Sequence, residues 1–211
     1  AIFLAQEKLL KKATRRAPAQ TQWSACELLA ADAAALPQGW IVAASSRPAF
    51  SNAASRVVLD LAEYVPARDT TVYDFEAAQL DIWVWDKQTV PPMDKVARGR
   101  VRTRKAVVNL DRPGELVVLS KNPSDRINFF AGAEADYALS SDSEAYAIDN
   151  MWSADSRADI SLVSLRDGSR TVLAEGATGY PMPSPYGKYL AWFNTRDGNW
   201  YSWNLATGAS I

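Results

Sequence analysis

The chain has 211 residues, 48% of them hydrophobic and 22% charged, an ordinary globular composition with enough apolar material for a sizeable core. Its net charge of −1 gives no global field for nucleic acid or an anionic membrane surface, and no apolar run approaches the roughly 18–20 residues that a spanning helix needs. It has no histidine and a single cysteine, Cys26. A Ser-His-Asp triad, a histidine or thiolate metal site and an intrachain disulfide are therefore excluded.

The chain opens on Ala1, not methionine, which reads as a processed or truncated chain. Ile2-Phe3-Leu4-Ala5 is too short for a signal-peptide core and has no basic residues before it. Ser24-Ala25-Cys26-Glu27 has the form of a capping box, and the alanine- and leucine-rich stretch from Leu28 to Leu36 predicts a helix ending at Pro37. Residues 37–60 read as turn and strand, with Phe50-Ser51-Asn52 turning into Val57-Val58-Leu59, and residues 61–78 as a polar connection. Leu80-Asp81-Ile82-Trp83-Val84-Trp85-Asp86 predicts a buried inner strand from its branched and aromatic content, with Trp83 and Trp85 on one face. Pro91-Pro92 breaks the chain. Residues 105–109 and 115–119 predict a hairpin across Asp111-Arg112-Pro113-Gly114, and Ala158-Asp159-Ile160-Ser161-Leu162-Val163 predicts a further strand. The last pair is Tyr189-Leu190-Ala191-Trp192 and Trp200-Tyr201-Ser202-Trp203-Asn204-Leu205, closed by Ala206-Thr207-Gly208.

These elements recur with a period. Ser184 opens the turn before Tyr189, Leu139-Ser140-Ser141-Asp142-Ser143 a similar one before Ala145-Tyr146-Ala147-Ile148, and Ser51 another before Val57. Ser140 to Ser184 is 44 residues, and Ser51 to Ser140 is 89. Ser164-Leu165-Arg166-Asp167-Gly168 and Asn204-Leu205-Ala206-Thr207-Gly208 close strands 40 residues apart, with Asn109 to Gly114 as a looser copy. Four-stranded propeller blades recur at roughly 40–50 residues. The expected fold is all-β, a partial β-propeller of about four to five blades built as four-stranded antiparallel sheets. It spans residues 1–211 as one unit, with residues 1–36 ambiguous between helix and strand.

Asp74-Phe75-Glu76-Ala77-Ala78-Gln79-Leu80-Asp81-Ile82-Trp83-Val84-Trp85 resembles the propeller region of bacterial serine peptidases of the prolyl oligopeptidase family. Leu36-Pro37-Gln38-Gly39-Trp40 resembles the opening of a blade, Ala67-Arg68-Asp69-Thr70-Thr71 a connecting phrase, and Ala191-Trp192-Phe193 with Gly198-Asn199-Trp200-Tyr201 a blade end. Phe3-Leu4-Ala5-Gln6-Glu7-Lys8 fits too and favours a strand there. Tyr186, where an acidic turn residue is usual, and Asp60-Leu61-Ala62-Glu63, where a small-residue turn is usual, depart from the pattern. The resemblance implies a non-catalytic propeller portion that gates peptide access to an α/β-hydrolase domain not contained in these residues. It also implies partners in that domain, the remaining blades and a peptide substrate, and a periplasmic or secreted location. A non-enzymatic propeller that binds protein or glycan is the alternative. An open arc of blades is expected to be marginal or to self-associate through its edge strands.

No catalytic, cofactor-binding or metal-binding residue is assigned: the sequence has no Gly-x-Ser-x-Gly elbow, no phosphate-cradling Gly-x-x-x-x-Gly-Lys loop and no Gly-x-Gly-x-x-Gly. No peptidase activity is expected of this chain alone, and no nucleic-acid partner or membrane span. Arg98, Arg100, Arg102 and Arg104 alternate at period two and would share one face of a strand. That row reads as a phosphate or carboxylate site, or as a solvated, charge-guarded edge, and the absence of interleaved aromatics favours the edge. The eight tryptophans read as inter-blade packing before a carbohydrate platform. Asp155 and Asp159, with Asp136 and Glu134, lack the contiguous ligand loop of a calcium site.

Overall fold

The computed structural model describes residues 2–9, 21–29, 35–43, 46–67, 71, 73, 80–97, 102–130, 133, 135–185 and 187–210, with side chains from residue 27 onward. The described chain is mostly β and its sheets are antiparallel. A two-stranded ribbon pairs β1 (Ile2–Leu9) with β2 (Thr21–Leu29). A five-stranded sheet orders β3 (Trp40–Val42), β5 (Arg56–Glu63), β6 (Thr103–Asn109) and β7 (Leu116–Val118), with β4 (Ala49–Phe50) also on β5. A four-stranded sheet runs β8 (Asp125–Phe129), β9 (Tyr137–Asp142), β10 (Ala158–Ser164) and β11 (Arg170–Ala177). A three-stranded sheet follows with β12 (Met182–Pro183), β13 (Tyr189–Asn194) and β14 (Asn199–Asn204). Two short helices, α1 (Pro91–Ala97) and α2 (Asp149–Trp152), lie in the β5–β6 and β9–β10 connections.

Alternation along the strands explains how the sheets pack. In β6, Ala106 and Val108 join Val57, Leu59 and Leu61 of β5 and Leu28 of β2 in one core cluster. Val107, between them, points the other way, into a second cluster with Leu119, Ala138, Val163 and Leu165. The second cluster joins the five-stranded sheet to the four-stranded one. In β10 the division repeats: Val163 faces back, while Ile160 and Leu162 face forward onto Leu190 and Trp192 of the three-stranded sheet. The sheets therefore meet face to face in chain order. A strand buried on both faces carries a continuous apolar run, which is why residues 106–108 show no polar alternation. Each fully buried valine or leucine in these layers stabilises by about 1.5–3 kcal/mol relative to exposure.

Several sequence expectations are corrected. Ser24-Ala25-Cys26-Glu27 lies within strand β2, so the capping-box helix is not formed through residue 29; residues 30–34 lie outside the described set. Long-range pairing with β1 overrides local helix propensity there. Residues 80–86 form no strand: Trp83 is 66% and Trp85 92% exposed, and Leu80 and Ile82 are exposed beside them. Branched and aromatic content makes a strand only where a partner strand and a face to cover exist. Leu139 to Asp142 is strand β9, not a turn, and Ala145-Tyr146-Ala147-Ile148 is a 3-10 turn leading to α2, not a strand. The Ser140 copy of the repeat is thus out of phase with the Ser51 and Ser184 copies, which do lie in turns. Residues 61–63 continue β5. The hairpin at residues 105–119 stands, with Ala106 opposite Val118 and Val108 opposite Leu116, as do the strand at residues 158–163 and the final pair.

Candidate functional site

Two arginines, Arg56 buried and Arg170 half-buried, bind the five-stranded sheet to the four-stranded one. Arg56 on β5 donates from Nε to Asn109 Oδ1 (3.0 Å), from Nη1 to the carbonyls of Ala133 (3.0 Å) and Ala135 (2.9 Å), and from Nη2 to Asp136 Oδ1 (2.8 Å). Asn109 in turn donates to the carbonyl of Leu165 (3.0 Å). Arg170 on β11 reaches back to the carbonyl of Leu119, to Ser140 Oγ (2.8 Å) and to Asp125. The Asp125 side chain is fully buried, and it also accepts from the Lys121 amide (2.8 Å) and Ser140 Oγ (2.5 Å). These hydrogen bonds run onto protein groups, so the two arginines position the sheets.

A groove of about 300 Å³ lies on the four-stranded sheet, between the β9–β10 connection and the link that follows β11. Its floor is the β8–β9 pair, where Arg126 stands opposite Ser141, so both side chains leave the same face. One wall is the β9–β10 connection with Ser143, Ser156 and Arg157. Asn150 on α2 fixes this wall by holding both the Arg157 amide (2.7 Å) and its carbonyl (2.9 Å). The Arg157 guanidinium pairs with Asp149 (2.6 Å) and lies 5.3 Å from the Tyr146 ring centre. Tyr146 donates to Asp159 (2.7 Å), and the acceptor carboxylate holds the phenol pKa above its ordinary value of 10.0. The opposite wall, residues 177–180, is tied to the next sheet: Thr178 Oγ1 is 3.0 Å from Asn194 Oδ1 and accepts from the Thr195 amide (2.9 Å). Gly179 lies so near Phe193 that a Cβ there would stand 1.7 Å from the Phe193 carbonyl oxygen.

A larger space of about 460 Å³ opens where Arg56, Arg112 and Arg166 converge, but its cations are engaged. Arg56 and Arg166 share Asp136 (2.8 and 3.5 Å), and Arg112 pairs with Glu115 (3.2 Å).

The arginine row of the sequence is not assembled as a site among the described residues. Arg98 and Arg100 lie outside them, Arg102 is exposed ahead of β6, and Arg104 stacks over Trp40 at 4.3 Å. The tryptophans divide: Trp192 is buried and stacked on Tyr201 at 5.8 Å, while Trp83, Trp85, Trp152 and Trp200 are exposed. Glu134 lies outside the described residues, and the structure puts Asp136 and Asp159 to separate uses, on Arg56 and on Tyr146. Among the described residues no three acidic or cysteine side chains gather around a common point. Sequence reasoning passed over Arg126; the alternation Arg126-Ile127-Asn128-Phe129 after the turn at Asn122-Pro123-Ser124 was its signal. No family model matches this chain, and no curated protein matches it in sequence.

Proposed function

We propose that this chain is a propeller portion of a serine peptidase similar to the prolyl oligopeptidase family, and that it gates peptide access to a catalytic domain encoded elsewhere in the same protein. One observation carries the reading: successive antiparallel sheets, each strand paired with a chain neighbour in the last two, stack face to face in chain order through shared apolar clusters. Blades of a propeller pack in that manner, and the finer fold assignment is a partial β-propeller of about four to five blades. The chain's lack of histidine supports a gating role, since no imidazole is available to deprotonate a serine. The reading frame beyond Ile211 is the deciding test. A Gly-x-Ser-x-Gly elbow followed by Asp and His supports the peptidase, and a stop codon or a binding module there overturns it.

The exposed row Leu80, Ile82, Trp83, Val84 and Trp85 favours a second reading, a non-enzymatic propeller that binds protein or glycan on its rim. In that case the purified chain would be retained on an immobilised partner or glycan through those residues, and replacing Trp83 and Trp85 by Ser would release it.

A further inference from the structure

We propose that the groove on the four-stranded sheet, between the β9–β10 connection and the link after β11, binds a small oxyanion, a carboxylate or a phosphate group, with Arg126 as its cation. Arg56, Arg112, Arg157, Arg166 and Arg170 each have an acidic partner. Arg126 has none among the described residues, although it lines the groove. A guanidinium presents a planar fork of donors that matches two oxygens of a carboxylate or phosphate. Three hydroxyls, of Ser141, Ser143 and Ser156, line the same groove and are bonded to no other side chain among the described residues.

The surrounding acids do not compete for the fork. Asp149 is taken by Arg157, Asp159 by the Tyr146 hydroxyl and the Gly176 amide (2.9 Å), and Asp142 by Asn122 (3.0 Å). Both walls are held before any ligand arrives, one by Asn150 and the other by the Thr178–Asn194 contact. Such preorganisation lowers the ordering cost of binding. A volume of about 300 Å³ admits a phosphate or a carboxylate with a small organic body. The groove's features stand apart from the peptidase reading, so either can fail without the other.

The test is calorimetric titration of the full 211-residue chain with inorganic phosphate in one arm and N-acetylglycine in the other. Saturable binding in at least one arm is expected, and the tighter arm identifies the chemistry. Arg126→Gln should weaken it at least about tenfold, the loss of one charge-assisted fork, with no change in melting temperature. Ser143→Ala should weaken it less. Arg196→Gln, on an exposed turn of the next sheet, should leave it unchanged. Absence of saturable binding in both arms, or binding that survives Arg126→Gln, would overturn the proposal.

Discussion

Removal of the Asp125 carboxylate should loosen the junction between the five- and four-stranded sheets. Asp125→Ala strands three donors at once: the Lys121 amide, the Ser140 hydroxyl and the Arg170 guanidinium. Losing one member of a buried ion pair costs about 3–5 kcal/mol, because the other charge is left without compensation. The Arg170 side chain is 24% exposed and can recruit some water, so the loss belongs near the lower end, about 3 kcal/mol. Ser140→Ala, which removes one hydroxyl and leaves the ion pair, should cost about 1 kcal/mol. The double variant Asp125→Leu/Arg170→Met replaces both charges with apolar groups and should recover most of the loss, since such replacements are often neutral. Equilibrium urea unfolding followed by near-ultraviolet circular dichroism measures all of these. A cost below about 1 kcal/mol for Asp125→Ala, or losses of Asp125→Leu and Arg170→Met alone that add within about 0.5 kcal/mol in their double variant, would refute the clamp.

Gly179→Ala should destabilise by at least about 3 kcal/mol, the upper part of the overpacking range, because the added carbon meets the Phe193 main chain rather than a movable side chain; an unchanged thermal midpoint would contradict this. Asp167 should titrate at about 2, below its ordinary 3.8, because its carboxylate is held first by the Ser164 side chain and then by the Ser169 amide and hydroxyl. Its folded pKa lies below the unfolded value, so its stabilising contribution is complete above about pH 4 and is lost as pH falls toward 2; carbon-13 NMR of the carboxyl measures this, and a midpoint at or above 3.8 would contradict it. Trp83→Ser should change the unfolding free energy by less than about 0.5 kcal/mol, as at other exposed sites, and a loss of 3 kcal/mol would restore the buried-strand reading.

Local pattern made part of this fold legible. The Asn109–Gly114 and Ser164–Gly168 turns and the strands beside them were readable because turn chemistry and alternation agree there. Gly114 and Gly168 take positive φ of 89° and 74°, which glycine alone adopts without strain. The apolar run at residues 80–86 misled because its composition specifies what a strand is made of and not whether a neighbouring strand exists. Residues 24–29 misled in the opposite sense, since their strand depends on pairing with the preceding strand β1, which local propensity does not register. The repeat count failed at Ser140 because the serine lies inside β9 and bonds Asp125, while the turn chemistry that should have followed it is displaced into the 143–157 connection. The groove was illegible for a related reason. Arg126, Arg157 and Thr178 belong to separate strands and loops, and only the pairing of the four-stranded sheet brings them to one cleft.

The uneven placement of the indoles sets how this molecule will report on itself in the cuvette. Trp83, Trp85, Trp152 and Trp200 already face water in the native state, whereas Trp192 lies between sheets against Tyr201. Native emission will therefore carry a large contribution from solvated rings, which shifts it toward that of the unfolded chain. A melt followed by emission wavelength would register little of a cooperative transition. Acrylamide would quench the four exposed rings first, and the resistant fraction would come from Trp192 together with the half-buried Trp40 and Trp203, which pack against the cores of the sheets.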